Sequence, residues 1–299
     1  MRPLLTLKTY VWIVNMLKMH GPIDYEGIKE LWDNSDISDN NGMSKKTFIR
    51  YKKDIEEFFG VMIEYDSFYR YYVSDYDPLH KYTVADWMLD SLEVNDALAY
   101  NKEVQRRIIL EPIPTTGRLL KDIVESITKG RELEIIYQRY ESTKERRHRL
   151  KPYFVKLYHQ RWYLLGLKDD GTILTFALDR IKSIAKTSKR FRFDKRIKAK
   201  DYFEGCYGVM KDETKPVERI VLRAYGYEAN YLRDLKLHSS QMEIATNDDY
   251  SDFELRLRPS MDFRGKLMER GSRIKVMEPE HLAKELMEEF EKSVKIYKE

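Results

Sequence analysis

In the first 75 residues, three segments in succession have hydrophobic positions with a helical period, and the two segments after them have a strand period. Apolar residues recur every three or four positions in the helices and alternate in the strands. The predicted elements cover residues 7–19, 24–34, 45–60, 61–66 and 68–75. Three short helices followed by a β-hairpin are typical of a winged helix-turn-helix domain, so we predict this fold for residues 1–78.

The third of these helices has a core-facing stripe and a basic face. Ser44 is its predicted N-cap and Gly60 its stop. The stripe consists of Phe48, Tyr51, Ile55 and either Phe58 or Phe59. A winged helix inserts its third helix into the major groove, and a helix N-terminus favours phosphate. The predicted DNA-binding residues are Ser44, Lys45, Lys46, Thr47, Arg50 and Lys53. The alternative is a basic face that is merely solvated.

Three further regions follow. Residues 79–130 are predicted to be a mostly helical connector that joins or dimerises the domains. In residues 131–200 the alternation predicts a small closed barrel of the Sm-like or SH3-like type. Its four predicted strands cover residues 133–140, 149–160, 161–170 and 172–186. Pro152 indicates an edge or a bend in the second strand. In residues 201–299 strands and helices alternate as in a ferredoxin-like α/β extension with an antiparallel sheet, so the whole chain is predicted to be α+β.

Composition narrows the class of protein. A length of 299 residues predicts two or three domains, and 42% hydrophobic residues suffice to form their cores. No segment approaches the roughly 20 apolar residues of a membrane span, so we expect a cytoplasmic protein without membrane contact. Cys206 is the only cysteine, which excludes an internal disulfide and a cysteine-based zinc site.

Charge is segregated along the chain although the net charge is only +4. Bases dominate residues 44–53, 142–161 and 186–200, whereas residues 277–292 contain six Glu and two Lys. Clustered bases are expected where a protein meets a polyanion, and basic and acidic segments also complement each other across a dimer. The last helix has an apolar stripe at Leu282, Leu286, Phe290 and Val294. This stripe predicts either core packing or a dimer seam.

Three motifs on the predicted strands resemble those of one family. They are Leu150-Lys151-Pro152-Tyr153, Arg161-Trp162-Tyr163-Leu164 and Phe176-Ala177-Leu178-Asp179-Arg180-Ile181. Their order and spacing, downstream of the predicted winged helix, resemble the WYL domain, which is named for the tripeptide in the second motif. The resemblance implies an Sm-like sensor barrel in a bacterial, homodimeric transcriptional regulator. Its DNA binding would respond to a ligand of nucleotide or nucleic-acid type.

The predicted effector site combines this resemblance with strand alternation. The resemblance implies contacts from Tyr137, Tyr153, Arg161 and Arg180. Alternation places Lys151 with Tyr153 on one face, and Arg161 with Tyr163. The predicted effector-binding residues are therefore Tyr137, Lys151, Tyr153, Arg161, Tyr163 and Arg180. Arginine forks bind phosphate and tyrosine rings stack on bases, so this set suits a nucleotide.

Several of these positions have a structural alternative. Tyr137 could be a packing residue, and Arg180 could form an ion pair with Asp179. Position 153 carries Tyr where the family also has His, so a pH-sensitive contact is not expected there. A further arginine position of the family is filled by either Arg147 or Arg149.

Signatures of catalysis are missing from the sequence. It contains no phosphate-binding loop, nucleophile elbow, His-Glu-x-x-His pair or dinucleotide-binding glycine triplet. His148 and His159 lie on neighbouring predicted strands but lack a third metal ligand. Two acidic pairs, typical of turns, are Asp75 with Asp77 and Asp248 with Asp249. We therefore expect no enzyme, no bound metal and no cofactor.

The leading hypothesis is a ligand-responsive transcriptional regulator that binds double-stranded DNA as a homodimer. The alternative is an RNA-binding module that uses the barrel, with the helical domain as a platform for protein interaction. Substitutions in the third helix weaken binding only under the first hypothesis. Substitutions of Tyr153 and Arg161 weaken it under the second.

Overall fold

The computed structural model describes residues 3–38, 42–74, 83–99, 106–107, 109 and 116–299. It is a mixed α+β protein with several antiparallel sheets, which confirms the predicted class. Contacts divide the chain into two units, Met1–Glu111 and Pro112–Glu299. The predicted pair Asp75 and Asp77, and most of the predicted link between residues 100 and 115, lie outside the described residues. The predicted domain boundaries within and between these units stay predictions.

The first unit contains the predicted helices and hairpin in the predicted order. Its elements are α1 (Pro3–His20), α2 (Tyr25–Asp33), α3 (Lys45–Phe59), β1 (Ile63–Tyr65), β2 (Tyr71–Val73) and α4 (Val84–Ala99). The antiparallel β1–β2 hairpin is tied to the helices by two backbone hydrogen bonds between Ile23 and Tyr71. The ring of Phe48, fully buried on α3, contacts the ring of Tyr71 edge-on at 4.9 Å. These contacts fix the hairpin against α3.

The predicted connector divides between two cores. The Asp86 carboxylate on α4 pairs with Lys18 of α1 at 2.6 Å, and Leu89 is buried in the core of the first unit. The next described helix, α5 (Gly117–Thr128), buries Ile123 against the strands of the second unit. None of the described helices combines the length and the apolar character needed to cross a lipid bilayer.

The second unit begins with a five-stranded antiparallel sheet. Its strands are β3 (Arg131–Gln138), β4 (Glu145–Tyr158), β5 (Arg161–Leu167), β6 (Ile173–Ala177) and β7 (Ile181–Arg190). They are ordered β6-β5-β4-β3-β7. The predicted single strand over 172–186 is wrong, because a 3-10 turn at Leu178–Arg180 divides it into β6 and β7. Closure of this sheet into an Sm-like barrel stays a prediction.

The long strand β4 changes partners at its middle. Its first half pairs with β3 as far as Leu150, and its second half pairs with β5 from Lys151 onward. Pro152 lies just after this change, where the register with β5 shifts. A proline cannot donate to a ladder, so it is tolerated where one ladder ends. The predicted irregularity at Pro152 is thus found as a change of partner and a register shift, while the edge or bend itself stays a prediction.

A glycine on β5 allows close packing against β4 next to Pro152. A Cβ atom at Gly166 would lie 2.5 Å from Leu150 Cδ1, whose side chain is buried. We expect Gly166→Ala to lower the free energy of unfolding by about 1–3 kcal/mol, because the packed core must move. Urea denaturation of the full chain measures this change. The control is Gly265→Ala in a helix with no neighbour within 4 Å, which we expect to be neutral or stabilising. Equal effects of the two substitutions would contradict the packing argument.

The rest of the second unit is a four-stranded antiparallel sheet with helices. Its elements are α6 (Ala199–Phe203), β8 (Glu218–Tyr225), α7 (Glu228–Asp234), β9 (Met242–Thr246), β10 (Tyr250–Leu257), α8 (Met261–Arg270), β11 (Ile274–Glu278) and α9 (Glu280–Lys298). The strand order is β11-β8-β10-β9. Leu232 of α7, Phe263 of α8 and Leu282 of α9 are fully buried in one core with the strands. The ferredoxin-like assignment stays a prediction.

The apolar stripe of the last helix has two different halves. Leu282 and Leu286 on α9 are buried in the core. Phe290 and Val294, one and two turns further on, are 38% and 50% exposed. The first half of the stripe is therefore core, and the dimer seam stays a prediction for the second half.

Candidate functional site

The N-terminus of α3 is organised by its cap. Ser44 Oγ accepts a hydrogen bond from the Thr47 backbone N–H at 3.1 Å and shares a second one with Thr47 Oγ1 at 2.9 Å. At the other end Gly60 adopts a left-handed φ of 68°. Both predicted DNA-contact hydroxyls are thus partly used within the helix. Ser44 remains exposed, and each hydroxyl retains capacity for a further hydrogen bond.

The long axis of α3 separates an apolar face from a basic one. Phe48, Tyr51, Ile55 and Phe59 are buried, while Phe58 is exposed. The four exposed cations are Lys45, Lys46, Arg50 and Lys53. Within the described part of the chain none of these four forms an ion pair, whereas Lys52 is held by Glu56 at 2.7 Å. The basic face predicted from sequence is therefore open.

Ile49 was missed by the sequence analysis. Its side chain is 44% exposed, between the basic residues Lys46 and Arg50 on the outer face of α3. An exposed branched apolar residue in a basic face has no partner in the core. It is the type of side chain that contacts the methyl group of thymine. Helical spacing would have predicted that Ile49 is exposed, because the residue after the buried Phe48 is rotated away from the core on the helix.

The hairpin beside α3 carries an aromatic tip. Asp66 Oδ1 accepts hydrogen bonds from the backbone N–H groups of Phe68 and Arg70, and Arg70 also pairs with its carboxylate at 2.7 Å. The hydrogen bond from Arg70 holds the pKa of Asp66 below its ordinary value. The rings of Tyr65 and Tyr69 stack with centroids 5.9 Å apart, and Phe68 is 74% exposed. The tip thus presents rings and one cation to solvent.

A second cluster forms on the five-stranded sheet around two arginines. Arg161 Nη1 donates a hydrogen bond to Tyr140 Oη at 3.1 Å and lies 3.7 Å from Asp179 Oδ2. The guanidinium of Arg180 lies over the rings of Tyr140 and Tyr137, at 4.5 and 5.4 Å from their centroids. The 3-10 turn between β6 and β7 makes this possible because it carries Asp179 and Arg180 back towards β3 and β5.

The electrostatics of this cluster follow from these contacts. The hydrogen bond to Tyr140 and the Asp179 charge raise the pKa of Arg161. Burial raises the pKa of Tyr137. In the described part of the chain Arg180 Nε is buried without a hydrogen-bond partner. Asp179 therefore pairs with Arg161 and not with Arg180, and the guanidinium of Arg180 keeps donors for an anion or a base edge.

Comparison with known proteins identifies this region. The family model of the WYL domain matches residues 118–186, which run from α5 into β7. The chain contains a WYL domain. The resemblance drawn from the three sequence motifs is thereby confirmed, and the match includes α5 as well as the sheet.

Two solved structures are similar to the chain as a whole. One is proteasome accessory factor B/C (PafBC) of Arthrobacter aurescens, with 18% sequence identity and a TM-score of 0.34, covering 94% of this chain and 45% of that chain. The other is described as a CRISPR Cas-related protein, with 13% identity and a TM-score of 0.39, covering 99% and 85%. The chain thus spans less than half the length of PafBC. No curated protein matches the chain.

The tripeptide of the WYL domain lies on β5. Leu164 is fully buried and Trp162 packs against the same core, so both are packing residues. Tyr163, which lies between them in the sequence, is half-buried. Burial raises the pKa of its hydroxyl, and the positive charges of Arg161 and Arg180 oppose this rise only in part. Tyr163 pairs with Ala177 of β6, which directly precedes the 3-10 turn that carries Arg180. The WYL domain therefore brings together four of the six predicted effector residues, but one of them, Tyr137, is buried in the core, as its packing alternative predicted.

The other two predicted effector residues lie elsewhere in the WYL domain. Lys151 pairs with Asp169 at 2.9 Å. The ring of Tyr153 is 6% exposed, its hydroxyl accepts a hydrogen bond from the Asp194 N–H, and it contacts the ring of Phe193 at 5.2 Å. The strict alternation predicted for β4 is wrong here because the register shifts between Pro152 and Phe154. As a result Tyr153 lies in a packed aromatic cluster and not on an open binding face.

Tyr140 was also missed by the sequence analysis. It follows β3 in a loop and is 70% exposed. Strand alternation carries no information about a loop residue. The signal that would have found it is the arginine pair, since planar guanidinium groups stack on aromatic rings.

The remaining candidate chemical groups from the sequence are two histidines, one cysteine and an acidic pair. His148 lies near the start of β4, and His159 directly follows its last residue, so the two are not on neighbouring strands as predicted. Burial raises the pKa of the Cys206 thiol, which disfavours a reactive thiolate. Asp248 and Asp249 lie in the turn between β9 and β10. Among the described residues, no three His, Cys, Asp or Glu side chains group as metal ligands would.

Proposed function

We propose that the protein is a ligand-responsive, non-catalytic transcriptional regulator. In this proposal residues 1–78 act as a winged helix-turn-helix, and α3 enters the major groove of duplex DNA. The WYL domain acts as an Sm-like barrel that senses an effector of nucleotide or nucleic-acid type. Residues 201–299 form a ferredoxin-like domain that dimerises or transmits the signal, and the dimer acts in the cytoplasm.

The observation that carries the proposal is the open basic face of α3. Lys45, Lys46, Arg50 and Lys53 are exposed there without ion pairs in the described residues, while Phe48 on the reverse side is fully buried. Unpaired cations on a rigid helix bind phosphates without first breaking an ion pair. Ile49 in the same face adds an apolar contact suited to a thymine methyl. The aromatic tip of the hairpin suits contact with the neighbouring backbone or minor groove.

A salt titration of DNA binding tests the proposal. We expect the full chain to bind duplex DNA with an affinity that falls with salt, at a slope of about −3 to −5 in a log–log plot, because several phosphate contacts release counterions. Selection from random oligonucleotides is expected to yield a palindrome with half-sites about one helical turn apart, because a symmetric dimer presents two copies of α3. Absence of duplex binding at low salt would refute the proposal.

A second candidate function is RNA binding by the WYL domain. It is favoured by the exposed ring of Tyr140, which lies beside the guanidinium of Arg180, because unpaired bases stack on exposed aromatic rings and arginine planes. Under this alternative the first unit is a platform for protein interaction. Single-stranded RNA would then bind more tightly than duplex DNA, and substitutions on α3 would leave the affinity unchanged.

A further inference from the structure

A small cavity lies within the second unit, where the end of β4 meets the segment after α6 and the helices α7 and α8. Its volume is about 260 Å³. Lys156, Tyr158 and His159 line it from β4, and Cys206 to Gly208 line it from the segment after α6. This cavity shares no lining residue with the arginine cluster of the WYL domain.

The charge of the cavity lining is one-sided. Four of its side chains are cationic, namely Lys156, Lys236, Lys266 and Arg270. Two are histidines, His159 and His238, and no Asp or Glu lines the cavity. Cations gathered around a cavity repel one another unless a counterion lies among them. The lining therefore favours an anionic occupant.

Neighbouring carboxylates balance only part of this charge. Lys266 Nζ lies 2.9 Å from Glu269 Oε1, and Arg270 Nη1 lies 2.9 Å from the buried Glu228. Neither Lys156 nor Lys236 forms an ion pair within the described residues. Two of the four cations thus lack a carboxylate partner.

Lys156 is held in position without a counterion in contact. Its Nζ donates a hydrogen bond to the Gly208 carbonyl at 2.6 Å and lies 3.9 Å from the centroid of the Phe203 ring. Burial lowers the pKa of this ammonium, and the charge of Asp262 offsets the effect only in part. Asp262 itself approaches the Val209 N–H at 3.4 Å. An ammonium placed in this way gains most from an anion that enters the cavity.

The backbone at Gly208 is shaped for this contact. Gly208 has a left-handed φ of 74°, and a Cβ atom there would lie 2.5 Å from Asp262 Oδ2. A glycine is therefore needed for the carbonyl to reach Lys156. Arg270, which also lines the cavity, has a buried Nε without a hydrogen-bond partner among the described residues. The site thus holds one fixed ammonium and one guanidinium with an unused donor.

We propose that this cavity binds a small phosphorylated molecule, whose phosphate is held by Lys156 and Arg270 with support from Lys236 and Lys266. A phosphate dianion neutralises two charges at once and accepts several hydrogen bonds, which matches two unbalanced cations better than a carboxylate does. The volume lies below the range of about 300–1,000 Å³ typical of pockets for drug-sized ligands, which excludes an oligonucleotide. This site goes beyond the proposed DNA-binding function and does not depend on it.

Calorimetric titration of the full chain, with no DNA present, tests this site. The probes are inorganic phosphate, adenosine monophosphate and uncharged adenosine. We expect at least one of the two phosphates to bind and adenosine not to bind. Tighter binding of the nucleotide assigns an organic phosphate, and tighter binding of phosphate assigns the free anion. Because DNA is absent, the result is independent of whether α3 binds a duplex.

Variants locate the binding in this cavity. Lys156→Met keeps the apolar stem against Phe203 and removes the charge, so we expect it to weaken phosphate binding about tenfold or more. Lys236→Ala, an exposed position that should not affect folding, is expected to weaken it about threefold. The matched control is Lys284→Ala on the exposed face of α9, which should bind as the unmodified chain does.

Three results would overturn the site. The first is that neither phosphate binds up to about 10 mM, where affinity is negligible. The second is that adenosine binds as tightly as its monophosphate. The third is that Lys236→Ala and a folded Lys156→Met both bind phosphate with unchanged affinity. Thermal unfolding of each variant shows whether it is folded. If Lys156→Met does not fold, Lys236→Ala against Lys284→Ala decides the question alone.

Discussion

Replacement of Lys45, Lys46 and Arg50 by alanine is expected to weaken duplex DNA binding about 100-fold near physiological salt. The same change should reduce the slope of log affinity against log salt by about three, one for each lost phosphate contact. The reason is that these side chains are exposed and form no ion pair among the described residues, so their charge is available to DNA. Fluorescence anisotropy with a labelled duplex at four or five salt concentrations measures both quantities.

The control for this prediction lies on the same helix. Lys52→Ala removes a lysine whose ammonium is already held by Glu56 at 2.7 Å, so we expect less than a twofold change in affinity. The triple variant should remain folded, because Phe48 and Ile55, which hold α3 in the core, are untouched. If the triple variant and Lys52→Ala bind alike, α3 is not the DNA-binding element.

The parts of the fold that local chemistry determines were predictable from the sequence. Ser44 accepts the predicted capping hydrogen bond of α3, as Asp24 does at the start of α2, and Gly60 ends α3 in the left-handed conformation. The choice between Phe58 and Phe59 was open, and the structure buries Phe59. A position four residues after Ile55 returns to the same helix face, so this choice follows from periodicity once the helix is known to be continuous.

Errors arose where tertiary packing overrides a repeating pattern. On α4 the apolar positions are broadly distributed and include Val84, which is 74% exposed, whereas Leu89 is buried. The pattern there is broad, and only the contact with α1 selects the inner face. On β4 the change of partner at Pro152 shifts the register, and alternation beyond that point no longer applies.

The arginine cluster of the WYL domain needed the fold to become visible. Arg161 and Arg180 were predicted from motifs, but their common partner Tyr140 lies in a loop. The 3-10 turn that carries Arg180 lies inside what alternation predicts as one strand. Side chains from the loop after β3, from β5 and from the 3-10 turn therefore meet only because the strands pair in the folded sheet. The pattern of any one segment does not predict this contact.

Substitution of Arg180 by alanine is expected to weaken binding of a single-stranded oligonucleotide about tenfold. The guanidinium lies over the rings of Tyr140 and Tyr137, so its loss removes both a stacking plane and a positive charge that attracts phosphate. Arg161→Ala is expected to have a similar effect because it also releases the Tyr140 hydroxyl. Anisotropy with a labelled oligonucleotide measures the change. Lys182→Ala, an exposed cation two residues away, is the control and should have little effect.

This pair of arginines separates the two proposed functions more cleanly than Tyr153 does. Tyr153 packs against Phe191 and Phe193, so Tyr153→Ala is expected to lower the free energy of unfolding by about 3–5 kcal/mol. The loss of fold would then weaken the binding of DNA and of RNA alike. Arg161 and Arg180 lie at the surface of the sheet, and their loss should leave the core intact. A regulator keeps its duplex affinity in Arg180→Ala and loses only the response to effector, because α3 is unchanged. An RNA-binding module loses its main affinity in Arg180→Ala and keeps it in the α3 triple variant, so the two variants assayed together assign binding to one surface or the other.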